Sequence, residues 1–167
     1  MQNSASKKLV LDASAFYSGI PFLTLSTCYT TNLILSEIKH INQRYSAIEF
    51  LIDSNKLKIL EPNNQFLRQV ITIAKKTGDY KRLSTADLSI LALAFQLNST
   101  LISDDYAVQN IAAILKIPVE TIGTKGITKV RRWINFCHAC RKAYGSNINK
   151  CDLCGNKLSR RFKESSV

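Results

Sequence analysis

Apolar positions follow two rhythms along the first three quarters of the chain. Leu9-Val10-Leu11 is a short apolar run ending in Asp12, which predicts a buried strand feeding a loop. Residues 27–31 (Thr-Cys-Tyr-Thr-Thr) predict a short extended piece. Over 32–53 the apolar positions Ile34, Ile38, Ile41, Tyr45, Ile48 and Ile52 recur at alternating intervals of four and three. That spacing predicts one long amphipathic helix. Lys58-Ile59-Leu60 is a second strand candidate, closed by Glu61-Pro62. Residues 64–77 are helical in pattern and stop at Gly78. Leu88 to Leu97 is apolar nearly all round, as a buried helix must be. Leu101-Ile102-Ser103 is a third strand entering Asp104-Asp105, a helix follows to about Lys116, and residues 118–122 form a last strand. Short strands alternating with helices predict an α/β fold, a parallel sheet with helices on both faces.

The rhythm stops near residue 123. Residues 1–6 are polar and predicted loose, residues 124–132 read as a basic linker, 133–158 as a small second unit, and 159–167 as a disordered basic end. The length of 167 residues suits one modest domain plus an appendage. With 46% hydrophobic and 21% charged residues the chain has an ordinary soluble composition. No apolar run approaches the roughly 20 residues of a membrane span, and no apolar leader opens the chain, so the expectation is a cytoplasmic protein without membrane contact.

Charge divides the chain more sharply than hydropathy does. Residues 1–123 carry 12 Lys+Arg against 10 Asp+Glu, a net +2, and residues 124–167 carry 11 against 2, a net +9. A positive appendage on a near-neutral domain suggests a phosphate backbone as partner, with a merely solubilising tail as the alternative. The same appendage holds four of the five cysteines, Cys137, Cys140, Cys151 and Cys154, as two CxxC pairs ten residues apart. Each CxxC knuckle sets two sulfurs on one side of a metal, and two knuckles complete the tetrahedron of a structural Zn²⁺ site. Two disulfides in an exported domain are the alternative. Cys28 stands alone and reads as a small buried apolar residue.

Ligand sites in open parallel sheets lie beyond the carboxyl ends of the strands. Asp12 ends the first strand and Asp104-Asp105 the third. Asp87 lies three residues after Ser84, the spacing of a capping box, and the first turn of a helix can also aim a carboxylate at a site. Glu37 falls beside the stripe positions Ile34 and Ile38, so it either reaches solvent at the stripe edge or serves a cation. His40, one turn on, reads as a surface residue. Acids converging on one spot repel each other unless a cation neutralises them, and hard oxygen donors suit Mg²⁺ or Mn²⁺. The main domain has one histidine, no cysteine pair and no glycine-rich phosphate loop, which argues against NTPase, dinucleotide and zinc-hydrolase chemistry. A carboxylate-held divalent metal suits phosphodiester cleavage.

The segments Val10-Leu11-Asp12-Ala13-Ser14-Ala15-Phe16, Ser36-Glu37, Ser84-Thr85-Ala86-Asp87 with the apolar run after it, and Ser103-Asp104-Asp105-Tyr106-Ala107-Val108-Gln109-Asn110 resemble those of PIN-domain nucleases. Together with the cysteine ribbon, the chain resembles the archaeal and eukaryotic Nob-type endoribonucleases over nearly its whole length. The resemblance implies a PIN domain over residues 1–123 and a zinc ribbon over 133–158, with one structural Zn²⁺. It implies one or two catalytic Mg²⁺ or Mn²⁺ ions at Asp12, Glu37, Asp87 and Asp105, with Asp104 an auxiliary ligand or a turn residue. Ser103 stands where Thr is usual, and keeps the hydroxyl. The large insertions of eukaryotic relatives are absent, as in the compact archaeal form. The implied reaction trims the 3′ end of precursor small-subunit rRNA within the pre-ribosomal small subunit, leaving 3′-hydroxyl and 5′-phosphate ends.

For RNA contact the ribbon and its flanks offer Lys129, Arg131, Arg132, Arg141, Lys142, Lys150, Lys157, Arg160 and Arg161. Phe136 and Tyr144 are candidates for stacking on bases, and Trp133 for the ribbon's small core. Two rivals stay open: a non-catalytic RNA-binding assembly factor, and a toxin-type PIN ribonuclease acting on tRNA or mRNA.

Overall fold

A computed structural model describes residues 8–39 and 45–166. The expected loose start, residues 1–6, and His40 and Ile41 lie outside the described residues. Five strands, β1 (Leu9–Leu11), β2 (Cys28–Thr30), β3 (Leu57–Ile59), β4 (Thr100–Ile102) and β5 (Val119–Glu120), form a sheet in the order β3-β2-β1-β4-β5. Every pairing is parallel, so all five carboxyl ends open on one edge. Central β1 is buried throughout, which is why it carries an unbroken Leu-Val-Leu run.

Helices α1 (Ala13–Tyr17), α2 (Ile20–Leu23), α3 (Asn32–Ile38), α4 (Tyr45–Asp53), α5 (Asn64–Thr77), α6 (Thr85–Leu97) and α7 (Tyr106–Ile114) flank the sheet. The apolar-all-round helix is α6, enclosed by α3, α5, α7 and β1. Its first turn is fixed by a capping box, Ser84 with Asp87. Helix α5 ends as its glycine predicts, on Gly78 in the left-handed region at φ +80°.

Two expectations need correction here. The single long helix over 32–53 is instead α3 and α4, with Lys39 closing α3 by donating its N–H to the Leu35 carbonyl. Helix α3 packs on α1 and α6, whereas α4 packs on β3. A straight rod of about 33 Å would overshoot the first surface before serving the second. The short α1 and α2 had no periodicity to reveal them. Their signals are caps, Asp12 before α1 and Pro21 in the first turn of α2.

The second correction concerns the tail. Strand β6 (Lys129–Phe136) pairs antiparallel with β7 (Ala143–Tyr144) and with β8 (Ser159–Ser166). Strand β8 follows β6 from Phe136↔Ser159 to Lys129↔Ser166, so the basic end is a strand and the second unit takes in part of the linker. Its charges hide a strand pattern. Glu164 bridges to Lys129 and Arg131 at 3.2 and 3.1 Å, and Phe162 meets Trp133 edge to face at 5.3 Å. Cross-strand pairs of this kind hold a ladder together without a hydrophobic run.

The second unit is docked on the first. Asp79, 1% exposed, accepts from Trp133 Nε1 at 2.8 Å and from Asn110 Nδ2 at 2.7 Å. Asn110 also exchanges hydrogen bonds with Arg131, accepting its N–H at 2.7 Å and donating to its carbonyl at 2.8 Å. A Cβ on Gly78 would stand 2.9 Å from the Cβ atoms of both Trp133 and Ser146, so glycine there serves the close approach as well as the helix end. Among the described residues no helix is long and apolar enough to cross a membrane.

Candidate active site and cysteine centre

Because β1 and β4 are parallel neighbours in register, Leu11 opposite Ile102, the residues leaving them emerge side by side. These are Asp12 and Ser103. Asp12 caps α1, Oδ1 accepting the Ala13 N–H at 2.7 Å, and Oδ2 accepts the Ser103 hydroxyl at 2.6 Å. The same hydroxyl oxygen accepts the Asp105 N–H at 3.2 Å. Asp105 caps α7, Oδ1 accepting from Ala107 and Val108 at 2.5 and 3.1 Å. Ser103, fully buried, thus ties two acids of the edge together. Its hydroxyl is visible in the sequence, but this bridging role depends on the parallel pairing of β1 with β4.

Asp87 and Glu37 approach from the helices. Asp87 keeps its capping-box bonds, Oδ2 accepting the Ser84 N–H at 2.7 Å while its own N–H donates to Ser84 Oγ at 3.0 Å. Glu37 is on the exposed side of α3 between buried Ile34 and Ile38, and α3 is held to α6 by the Thr31–Ser89 hydroxyl pair at 2.9 Å. Asp12, Glu37 and Asp87 are each pushed by neighbouring carboxylates. Burial pushes Asp12 above the ordinary carboxylate range, against the lowering pull of Ser103 and Ala13, and the charges of Asp87 and Asp105 push the same way. Asp87 is raised by burial and further by Asp105, although Ser84 opposes the shift. Glu37 is raised by partial desolvation and then by Asp87 and Asp12. Desolvated, mutually repelling carboxylates are a donor set that a hard divalent cation would neutralise.

Asp104 faces elsewhere. Its carboxylate accepts from the backbone of Ile122 at 2.8 Å and Gly123 at 3.0 Å, and these contacts, Ile122 foremost, hold it below the usual range. It anchors the loop after β5.

The four cysteine Sγ atoms lie within 4.8 Å of one another, a group among the described residues that could hold a metal ion. The Cys140 N–H points at Cys137 Sγ at 3.4 Å, and Cys137 and Cys154 Sγ are 3.5 Å apart and unbonded. A tetrahedron with metal–sulfur bonds of about 2.3 Å has edges near 3.8 Å, so the set fits one tetrahedral ion. Without an ion, two of the thiols shift in opposite directions. The Tyr144 hydroxyl at 3.1 Å pulls Cys151 down to about 6, while contact with Cys154 pushes Cys140 up to about 12. A shared cation is what makes all four anionic together.

Residues 9–97 match the family described as the PIN domain of ribonuclease. The chain belongs to the PIN-domain endoribonucleases. Endoribonuclease Nob1 of Methanocaldococcus jannaschii is 38% identical over 164 residues, covering 96% of this chain and 81% of that protein. Ribonuclease VapC1 of Thermoplasma acidophilum is 33% identical over 153 residues, 92% of this chain and 77% of that protein. A Saccharomyces cerevisiae protein named 20S-pre-rRNA D-site endonuclease NOB1 is 33% identical over 114 residues, 63% of this chain and 23% of its own length. This PIN domain therefore sits in a ribonuclease family, and its acid edge is where the sheet brings Asp12 and Asp105 together.

The aromatic expectations change. Trp133 leaves the ribbon core, which is Cys137, Tyr144, Cys151 and Leu158, and faces the PIN domain instead. Tyr144 is buried, bonded to Cys151 and Asp152, and does not present its ring to a base. All nine basic candidates are exposed. Several are engaged: Lys129 and Arg131 with Glu164, Lys142 with Asp152 at 2.9 Å, Arg161 over Phe136 at 4.6 Å.

Proposed function

We propose that the protein is a divalent-metal-dependent endoribonuclease that cuts precursor small-subunit rRNA at its 3′ end. The observation that carries the reading is the placing of Asp12 and Asp105 side by side through Ser103 on the carboxyl edge of the sheet, with Asp12, Glu37 and Asp87 each raised first by burial and then by neighbouring carboxylates, Asp105 in the case of Asp87. These four acids hold one or two Mg²⁺ or Mn²⁺ ions, and Asp104 does not take part. A cation bound there activates a water and stabilises charge on the scissile phosphate. The chain's own contribution is position. Ser103 and the Ala13 amide fix Asp12, two α7 amides fix Asp105, and Ser84 fixes Asp87, so these three ligands are set before metal or RNA arrives. The cysteine cluster binds structural Zn²⁺. The choice of RNA rests on the Nob-type resemblance and on the yeast relative's name; the acid site by itself would suit other RNAs.

The test is incubation with Mn²⁺ or Mg²⁺ and an RNA spanning the rRNA 3′ end. One cut at the mature end is expected, lost in Asp12→Asn with RNA binding kept. Binding without cleavage in either metal would sink the nuclease reading in favour of an assembly factor. Cleavage of tRNA in preference to this RNA would favour the toxin-type reading, which the VapC1 relative keeps in view.

A further inference from the structure

The net charge of the PIN domain hides a local concentration. Lys75 and Lys76 close α5, and Lys81 lies in the 3₁₀ turn Tyr80–Arg82 that follows. All three line a groove of about 840 Å³ between the PIN domain and the second unit, whose opposite wall contributes Lys157 and Arg160. No Asp or Glu lines it. Lysines in the last turn of a helix complement its dipole, which accounts for Lys75 and Lys76 alone. It does not account for Lys81, or for two further cations brought by a separate unit to the same groove. Five like charges around an open groove repel each other, and a polyanion relieves that repulsion.

The groove is built to last. Its two walls are joined through Asp79, Trp133 and Asn110, and Arg160 crosses the junction, donating to the Gly78 carbonyl at 3.0 Å with its guanidinium 4.2 Å from the Trp133 ring. Tyr80 is 40% exposed in the groove, a flat surface with Lys75 against its ring. The same 3₁₀ turn carries Arg82 into an adjoining cleft of about 490 Å³ whose wall includes Tyr106, the residue after Asp105. Five residues beyond Arg82 is Asp87. The one 3₁₀ turn therefore sets cations both in the groove and in the cleft that holds Tyr106.

We infer that this groove seats a strand of the substrate RNA, with Lys75, Lys76 and Lys81 contacting phosphates and Tyr80 stacking on a base. The inference rests on the reading that the protein acts on RNA. It moves part of the RNA surface onto α5, where the charge count of the chain gave no hint of it.

The experiment measures binding of full-length, zinc-loaded protein to fluorescent RNA by anisotropy between 50 and 200 mM salt, in the cleavage-inactive Asp12→Asn background. Replacing Lys75, Lys76 and Lys81 by Gln should lower the slope of log K against log salt by about 2, a wild-type advantage that shrinks roughly 15- to 20-fold across that range. The three Lys→Arg replacements should restore the slope. Tyr80→Ala should weaken single-stranded RNA binding about fivefold or more with little change in slope. Lys8, Lys56 and Lys116 are exposed residues just before β1, β3 and β5, on the opposite sheet edge, and Gln at all three is the matched control. An unchanged slope in the groove variant, or an equal loss in the control, overturns the proposal. An unrelated single-stranded RNA run in parallel separates the two readings, because the groove variant must lose slope there too even if the rRNA assignment fails.

Discussion

Single carboxylates in this molecule have opposite relations to stability. Asp12, Glu37 and Asp87 titrate above their ordinary values when folded, so the folded state binds more protons than the unfolded chain. Unfolding free energy then falls as pH rises from the ordinary carboxylate range through the raised values. The metal-free protein should gain stability on acidification from neutral pH, and the gain should shrink in Asp12→Asn. That variant should melt higher than wild type at pH 7 without divalent metal while losing cleavage. A lower melting temperature would contradict an uncompensated buried charge. Asp104 has the reverse sign: its folded value is lowered, so its contribution is present above the unfolded value and lost as pH falls through the folded one. Asp104→Ala should cost about 1–2 kcal/mol in thermal or denaturant unfolding, through the lost Ile122 and Gly123 contacts, and leave metal-dependent cleavage in place. Adjacent aspartates in the sequence thus separate into a proposed metal ligand and a loop anchor. The family resemblance ranks Asp105 above Asp104 but leaves Asp104 as auxiliary ligand or turn residue, because the difference lies in which way each side chain leaves the turn.

Among elements, those legible in advance were those whose surroundings impose a pattern. Strand β1, buried on both faces, and α6, buried all round, left unmistakable apolar runs, and α5 announced its end with Gly78. Strand β8 left none, since its partners are ion pairs and one aromatic contact. The ribbon's core is four residues, two of them cysteines, so a metal bound at the cysteines is the expected source of its stability. Zinc chelation should unfold the region of Cys137 to Leu158, metal binding supplying on the order of 10–16 kcal/mol to such units. The chain's one tryptophan is Trp133, and its fluorescence reports docking directly. Trp133→Phe keeps an aromatic ring but takes a donor from buried Asp79, a cost of about 1–3 kcal/mol readable in thermal unfolding. A neutral effect would mean that the docked arrangement is not the stable one.

On the scale of the whole molecule the two units are docked into one assembly. Removing residues 124–167 does more than remove positive charge. It strips Trp133 from Asp79 Oδ1 and Arg131 from Asn110, so that of the hydrogen bonds at this junction Asp79 and Asn110 keep only the one they make to each other. The truncated protein should therefore melt lower than the full chain as well as bind RNA with a shallower salt dependence. An unchanged melting temperature would show that the interface contributes little in solution. Charge-changing substitutions in the intact chain are the cleaner probe of RNA contact.

The sequence by itself determined the alternation of strands and helices, the four cysteines at metal spacing, the acids at strand ends and the unequal charge of the two parts. Each of these is local: a period, a spacing or a count survives in one dimension. Tertiary structure decided what depends on distance between remote positions. It brought Ser103 against Asp12, 91 residues apart, turned Asp104 away, gave Trp133 to Asp79 and set Lys75, Lys76 and Lys81 opposite Lys157 and Arg160. Burial, pairing and field at a site are sums over neighbours in space, and the chain's linear order does not contain them.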